Sequence, residues 1–123
     1  MILIKPSYRF QRHQRLLKPA DYQFVFEKAY KSGDKYFTLL VRLNELTQAR
    51  LGLIIAKKRI KQAVKRNRIK RLVRESFRHH QHQLAGLDCI VMVKNDIAQA
   101  DNQTLQEALT RHWQFVTRRC KKS

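Results

Sequence analysis

Between Lys57 and Arg78 the chain carries eleven basic residues, Lys57, Lys58, Arg59, Lys61, Lys65, Arg66, Arg68, Lys70, Arg71, Arg74 and Arg78, against one acid, Glu75. Side chains of this kind bind anions rather than cut bonds, and the planar fork of arginine suits phosphate oxygens and stacks on bases. Asn67 stands among them as a neutral donor and acceptor. A solvated helix ordinarily interleaves Glu with Lys at i,i+4, whereas like charges gathered along one face destabilise the helix that carries them. The run therefore calls for a polyanion, and the mixture of Arg and Asn favours a structured nucleic acid over a generic anion.

Chemistry of another kind finds little material. Hydrolysis by a protein needs paired carboxylates holding metal ions, or a positioned acid and base. The nine acids, Asp21, Glu27, Asp34, Glu45, Glu75, Asp88, Asp96, Asp101 and Glu107, are scattered singly along the sequence. His79, His80 and His82 cluster at the end of the basic run without an accompanying ligand set, so they are expected to add charge or hydrogen bonds at a helix C-terminus. Cys89 and Cys120 have no partner at a metal or redox spacing and read as free thiols of a reducing compartment. No catalytic residue, no metal ligand set and no cofactor bound by the protein alone are expected.

The whole composition points the same way. Within 123 residues, 27 Lys and Arg oppose 9 Asp and Glu, a formal charge of +18, while a hydrophobic content of 43% suffices for a modest core. Such self-repulsion must be offset by what the charge serves. An anionic membrane would need a long apolar run or an amphipathic helix with a bulky apolar face, and neither is evident. The start, Met1-Ile2-Leu3-Ile4-Lys5-Pro6, followed by Arg9, Arg12 and Arg15, reverses the charge order of a secretory signal, so a cytoplasmic protein is expected, with no membrane and no obligate protein partner. A single domain over 1–123 is expected, with flexible basic tails at about 1–14 and 119–123.

The elements that must position the basic run follow from periodicity. Tyr22, Val25, Phe26 and Ala29 recur at i, i+3, i+4, i+7 after Pro19, predicting a helix over 19–29 with Ser32-Gly33 as its stop. Residues 36–43 and 50–56 are rich in branched and aromatic residues and suggest two antiparallel strands; Cys89–Val93 suggests a third. The basic run itself forms a helix from about Gln62 to His79, with Ile69, Leu72, Val73, Ser76 and Phe77 as its buried stripe. On its opposite face fall Arg66, Asn67, Lys70, Arg71, Arg74 and Arg78. A last helix, about Asn102–Arg118, buries Leu105, Ala108, Leu109, Trp113 and Val116. The fold class is α+β: a small, mainly antiparallel sheet packed with helices.

The string Lys65-Arg66-Asn67-Arg68-Ile69-Lys70-Arg71-Leu72-Val73-Arg74-Glu75-Ser76-Phe77-Arg78 resembles the signature of the bacterial ribonuclease P protein component. Similarity extends to Gly52-Leu53-Ile54-Ile55-Ala56-Lys57-Lys58, to Arg15-Leu16, to Asp21-Tyr22-Gln23-Phe24-Val25-Phe26 and to Asp88 heading the third strand. The resemblance implies an αβ sandwich with a left-handed βαβ crossover, against the usual right-handed rule. It implies that Lys57, Lys58, Lys65, Arg66, Asn67, Arg68, Lys70, Arg71 and Arg74 dock on a catalytic RNA. It further implies that Arg15, Tyr22, Phe26 and Leu40, with the facing sheet, hold the single-stranded 5′ leader of a precursor tRNA. Where some relatives carry an aromatic on the strand over 36–43, this chain has Leu40, which puts the strength of leader stacking in question. From periodicity alone Tyr22 and Phe26 would be core residues. Under the family's scheme the RNA subunit cuts with Mg²⁺, and the protein screens phosphate charge and binds the leader.

Two rival functions make different demands. A ribosomal-type structural RNA-binding protein would show no preference for leader-bearing precursors. A DNA-binding regulator would pair its recognition helix with a helix-turn-helix partner and a dimer seam, whereas here the basic helix is flanked by strands.

Overall fold

The computed structural model describes residues 14–58, 60–94, 97 and 100–120. The elements are α1 (Pro19–Glu27), β1 (Tyr30–Gly33), β2 (Phe37–Leu43), β3 (Arg50–Ile54), α2 (Ala63–His80), β4 (Leu87–Val93) and α3 (Asn102–Cys120). The expected tail at 1–13 and 121–123 lies outside the described residues, as does Arg59. Gln14, however, is buried and bonded to Gln81, and Arg119 and Cys120 complete α3 rather than leaving it.

The sheet has the spatial order β1-β2-β4-β3. Local pattern suggests that the strands over 36–43 and 50–56 pair with each other; instead β4 lies between them, antiparallel to β2 and parallel to β3. The reason is burial. In β4 all but Met92 are buried, whereas β2 alternates buried and half-buried residues, and the strand with two apolar faces takes the centre. β3, α2 and β4 thus form the βαβ unit of an otherwise antiparallel sheet.

Helix α1 starts at Pro19, whose fixed φ suits a first turn, while the Lys18 backbone N–H donates to Asp21 Oδ2 at 3.3 Å. It ends at Glu27, short of the expected Ala29. Ser32 and Gly33 do not stop a helix; they belong to β1, which pairs Tyr30 with Val41 and Gly33 with Thr38. A four-residue polar edge strand is dictated by its neighbour rather than by its own composition.

Alternation splits the sheet into two unequal faces. On one, Phe37, Leu39, Val41, Leu51, Leu87, Cys89 and Val91 meet Ile69, Leu72, Val73 and Phe77 of α2 and Leu105, Leu109, Trp113 and Val116 of α3. Trp113 Nε1 donates to the buried Ser76 Oγ at 2.8 Å, so the polar member of the α2 stripe satisfies the one polar atom of the indole. On the other face the buried hydrophobic residues are Leu16, Val25 and Ile90, with Tyr22, Phe24, Leu40, Ile54 and Met92 half-buried around them. A nine-residue helix is too short to roof the whole sheet, and half of this face stays open.

Two arginines pin α1 in place. The Arg42 guanidinium lies 3.7 Å above the Phe24 ring and also donates to the Phe24 carbonyl. Arg50 forks onto the fully buried Asp88 at 2.8 and 2.6 Å, and reaches Asp21 of α1 at 3.8 Å. Asn44 Nδ2 donates to the same Asp88 at 2.8 Å. Removing one partner of such a buried pair typically costs about 3–5 kcal/mol, so the network fixes the tilt of α1 and with it the mouth of the open half.

Candidate nucleic-acid interface

Helix α2 begins after the extended Gln62 and ends on Arg78, His79 and His80, the Arg78 cation complementing the negative end of the helix dipole. His80 Nδ1 lies 2.8 Å from the Ser76 carbonyl, and His79 Nε2 3.1 Å from Glu75 Oε1. These two histidines therefore serve the helix end. Among the described residues no three His, Cys, Asp or Glu side chains come together as a metal site.

The stripe Ile69, Leu72, Val73, Ser76 and Phe77 is buried as its spacing predicts, which turns the cations outward. Asn67, Lys70, Arg71, Arg74, Glu75 and Arg78 line a shallow depression of about 410 Å³, and Arg15 closes its side. Burial, and next the charge of Arg15, hold the Arg74 guanidinium below its ordinary pKa. Glu75 offsets only part of this charge: its carboxylate is paired with Arg78, which chiefly holds it below the ordinary value against the opposing effect of burial, and Arg15, Lys70, Arg71 and Arg74 leave the depression strongly positive. The depression is a preassembled cluster of like charges that a bound polyanion would relieve.

The other basic residues of the signature are not equivalent. Arg66 Nη1 donates to the carbonyls of Ile60 at 2.8 Å and Lys61 at 2.7 Å, tying the approach loop to α2. Arg68 donates to Asn102 Oδ1 at 2.9 Å and the Ala100 carbonyl at 3.1 Å, tying α2 to the start of α3. Lys57, Lys58, Lys65, Asn67 and Arg71 are exposed.

On the far face of the sheet, the open half forms a groove of about 340 Å³ lined by Thr38, Ile54, Ala56, Lys58, Met92, Val93 and Lys94. Tyr22 and Phe26 lie one turn apart on α1. Tyr22 is half-buried against β3, whereas Phe26 is 48% exposed and does not join the core that periodicity alone assigns it to. Leu40 lies on the same face of β2 as Thr38 and, like Tyr22, packs against the cluster of Leu16, Val25 and Ile90. An apolar floor with lysines at its rim can take bases below and phosphates above.

Two of the residues singled out in the sequence exchange places. Arg15, expected beside the aromatics, bridges to Leu51 and lines the α2 depression. Lys58, expected with α2, reaches the groove instead. Sequence reasoning missed Thr38, Ile54, Met92 and Lys94 as groove residues; their shared face appears only once β4 is known to lie between β2 and β3.

A family model described as Ribonuclease P matches residues 10–117. The ribonuclease P protein component of Methylococcus capsulatus is 47% identical over 114 residues, covering 93% of this chain and 89% of that protein. That of Yersinia enterocolitica is 51% identical over 104 residues, covering 85% and 87%. Among solved structures, the Staphylococcus aureus RNase P protein superposes with a TM-score of 0.78 at 29% identity, over 84% of this chain and 94% of that one. The Thermotoga maritima RNase P protein does so with a TM-score of 0.72 at 29% identity, over 80% and 94%. With its basic helix and its half-roofed sheet matched along nearly the whole length, this chain belongs to the ribonuclease P protein component family.

Proposed function

We propose that the chain assists a catalytic RNA in removing 5′ leaders from precursor tRNA, with α2 seated on that RNA and the open sheet groove, together with the neighbouring aromatics of α1, holding the leader. The observation that carries this reading is the placement of two unlike surfaces on opposite sides of one sheet. The α2 depression offers fixed charge to folded RNA, and the groove offers an apolar, lysine-rimmed floor to unpaired bases. Binding a leader that only the precursor carries favours substrate over product, which is specificity by differential affinity.

Phosphodiester cleavage is assigned to the RNA subunit and its Mg²⁺ ions. The acids that are well placed in the protein are already committed: Asp88 to Arg50, Asp34 to His112, and Glu75 to Arg78. Reconstitution with a ribonuclease P RNA at low Mg²⁺ tests the whole reading. Protein-dependent cleavage of precursor tRNA is expected, with no cleavage by RNA-free protein. A structural RNA-binding protein would instead bind precursor and mature tRNA complexes alike.

A further inference from the structure

Across the β1 edge from the groove lies a second surface that neither α2 nor the groove accounts for. Arg111, Phe115 and Arg118 recur at i, i+4, i+7 on the exposed side of α3 that faces β1. With Ser32 and Gly33 they line a cleft of about 360 Å³. Phe115 is 41% exposed, with the Arg119 guanidinium 5.9 Å from its ring centre. Tyr30, on the same face of β1 as Ser32, is 47% exposed. Among the described residues neither Arg111 nor Arg118 forms an ion pair. Arg118 and Arg119 in a last turn would be ordinary complements of the helix dipole. Arg111 and Phe115 lie upstream of that turn and are not explained by it.

The floor of this cleft is held by hydrogen bonds. His112 is 5% exposed, its ring nitrogens 2.6 Å from Ser32 Oγ and 2.9 Å from Asp34 Oδ2. The Asp34 carboxylate also accepts the backbone N–H groups of Tyr36 and Phe37, both at 2.8 Å. The one acid at the site is thus turned into the protein. Lys94, which lines the groove, donates to the Asp34 carbonyl. Gly33 joins the two surfaces: a Cβ there would stand 3.8 Å from Lys94 Nζ and 4.0 Å from Thr38 Oγ1. A strand leaving the groove past Thr38 and Lys94 meets no side chain at Gly33 before it reaches Phe115.

We propose that the distal part of the precursor leader, beyond the nucleotides held in the groove, turns over the β1 edge at Gly33, with a base stacked on Phe115 and phosphates at Arg111 and Arg118. Exposed aromatics between arginines suit an unpaired strand of any sequence. This extension rests on the leader reading of the groove.

The test uses reconstituted holoenzyme and three ligands: mature tRNA, a precursor whose leader ends within the groove, and a precursor whose leader is long enough to pass Gly33. The variant combines Arg111→Gln, Phe115→Ser and Arg118→Gln, all at exposed positions. It should bind mature tRNA and the short-leader precursor as the parent does, and lose at least about fivefold on the long-leader precursor, the low end for one stacked base. Unchanged affinity for the long leader overturns the extension, and so does an equal loss on all three ligands, which would place the patch on the catalytic RNA. A parent holoenzyme that does not separate the short-leader precursor from mature tRNA overturns the groove reading itself. A photoreactive base in the distal leader, bound to the parent, should crosslink to the peptide containing Phe115; its absence there counts against the extension whether or not the variant folds.

Discussion

Tyr22 lies so close over Gly52 that a methyl group at that glycine would stand 2.7 Å from Tyr22 Cε1 and 2.9 Å from its hydroxyl oxygen. The strand backbone itself is the seat of the ring. Gly52→Ala should therefore displace the tyrosine rather than break the sheet, because the obstructed atoms are the far end of a side chain. Affinity for precursor tRNA is expected to fall by about fivefold or more, as for loss of one stacked base, with mature tRNA unaffected. Equilibrium binding to the reconstituted holoenzyme reads both.

Phe26→Ala separates surface from core. At 48% exposure this ring contributes little to packing, so the melting temperature should move by no more than a few degrees, far less than the shift expected from the roughly 3–5 kcal/mol lost when a buried Phe becomes Ala. Precursor affinity should still drop while mature tRNA binding holds. Unfolding of the variant, or an equal loss on both RNAs, would remove Phe26 from the leader site.

Lys65 and Arg71 are exposed on α2, whereas Arg66 and Arg68 tie backbone and helix ends together. Replacing Lys65 and Arg71 by Ala should weaken binding to the catalytic RNA without changing stability. Its salt dependence should become shallower by roughly one to two units of log–log slope, about one counterion per lost phosphate contact. Arg68→Ala should also lower stability, by about 1 kcal/mol for its neutral acceptors. Urea unfolding followed by Trp113 fluorescence distinguishes the two cases.

Asp34 supplies an acid limb to stability. Burial raises its pKa, but the N–H groups of Phe37 and Tyr36 and the neighbouring His112 outweigh burial and hold it below the ordinary 3.8. A carboxyl depressed in the folded state stabilises the fold fully above its unfolded value, and that contribution disappears as pH falls through the folded one. The stability gap between the parent and Asp34→Asn should shrink as pH falls below the ordinary carboxylate pKa. Urea unfolding across acid pH checks it, and a gap unchanged down to the lowest pH would contradict the assignment.

Helices α2 and α3 were legible because each carries a long 3.6-residue stripe, whereas α1 is short and buries only Val25 of its stripe. All five stripe residues of α2 are buried, and so are the five picked for α3. His112 escaped notice on that same α3 stripe because a polar residue breaks the apolar pattern, and its partners Ser32 and Asp34 are distant in sequence. β1 was illegible for another reason: Tyr30-Lys31-Ser32-Gly33 has no apolar alternation, and only pairing to β2 makes it a strand. Strand order is likewise absent from local pattern. The exchange of Arg15 and Lys58 follows from it, since Arg15 is placed by its bridge to the outer edge of β3 and Lys58 by the turn that leaves that strand.

The central position of β4 also bears on how the chain is made. β2 and β3 emerge from the ribosome early but are not neighbours in the sheet, and the strand that joins them follows only after all of α2. Pairings so distant in sequence form late and slowly. Until Leu87–Val93 is inserted, the stripe of α2 lacks the strand at the centre of the sheet it packs on, so the most basic helix becomes a shaped surface only after that later strand has been made. A nascent chain therefore offers RNA a diffuse charge before it offers a site.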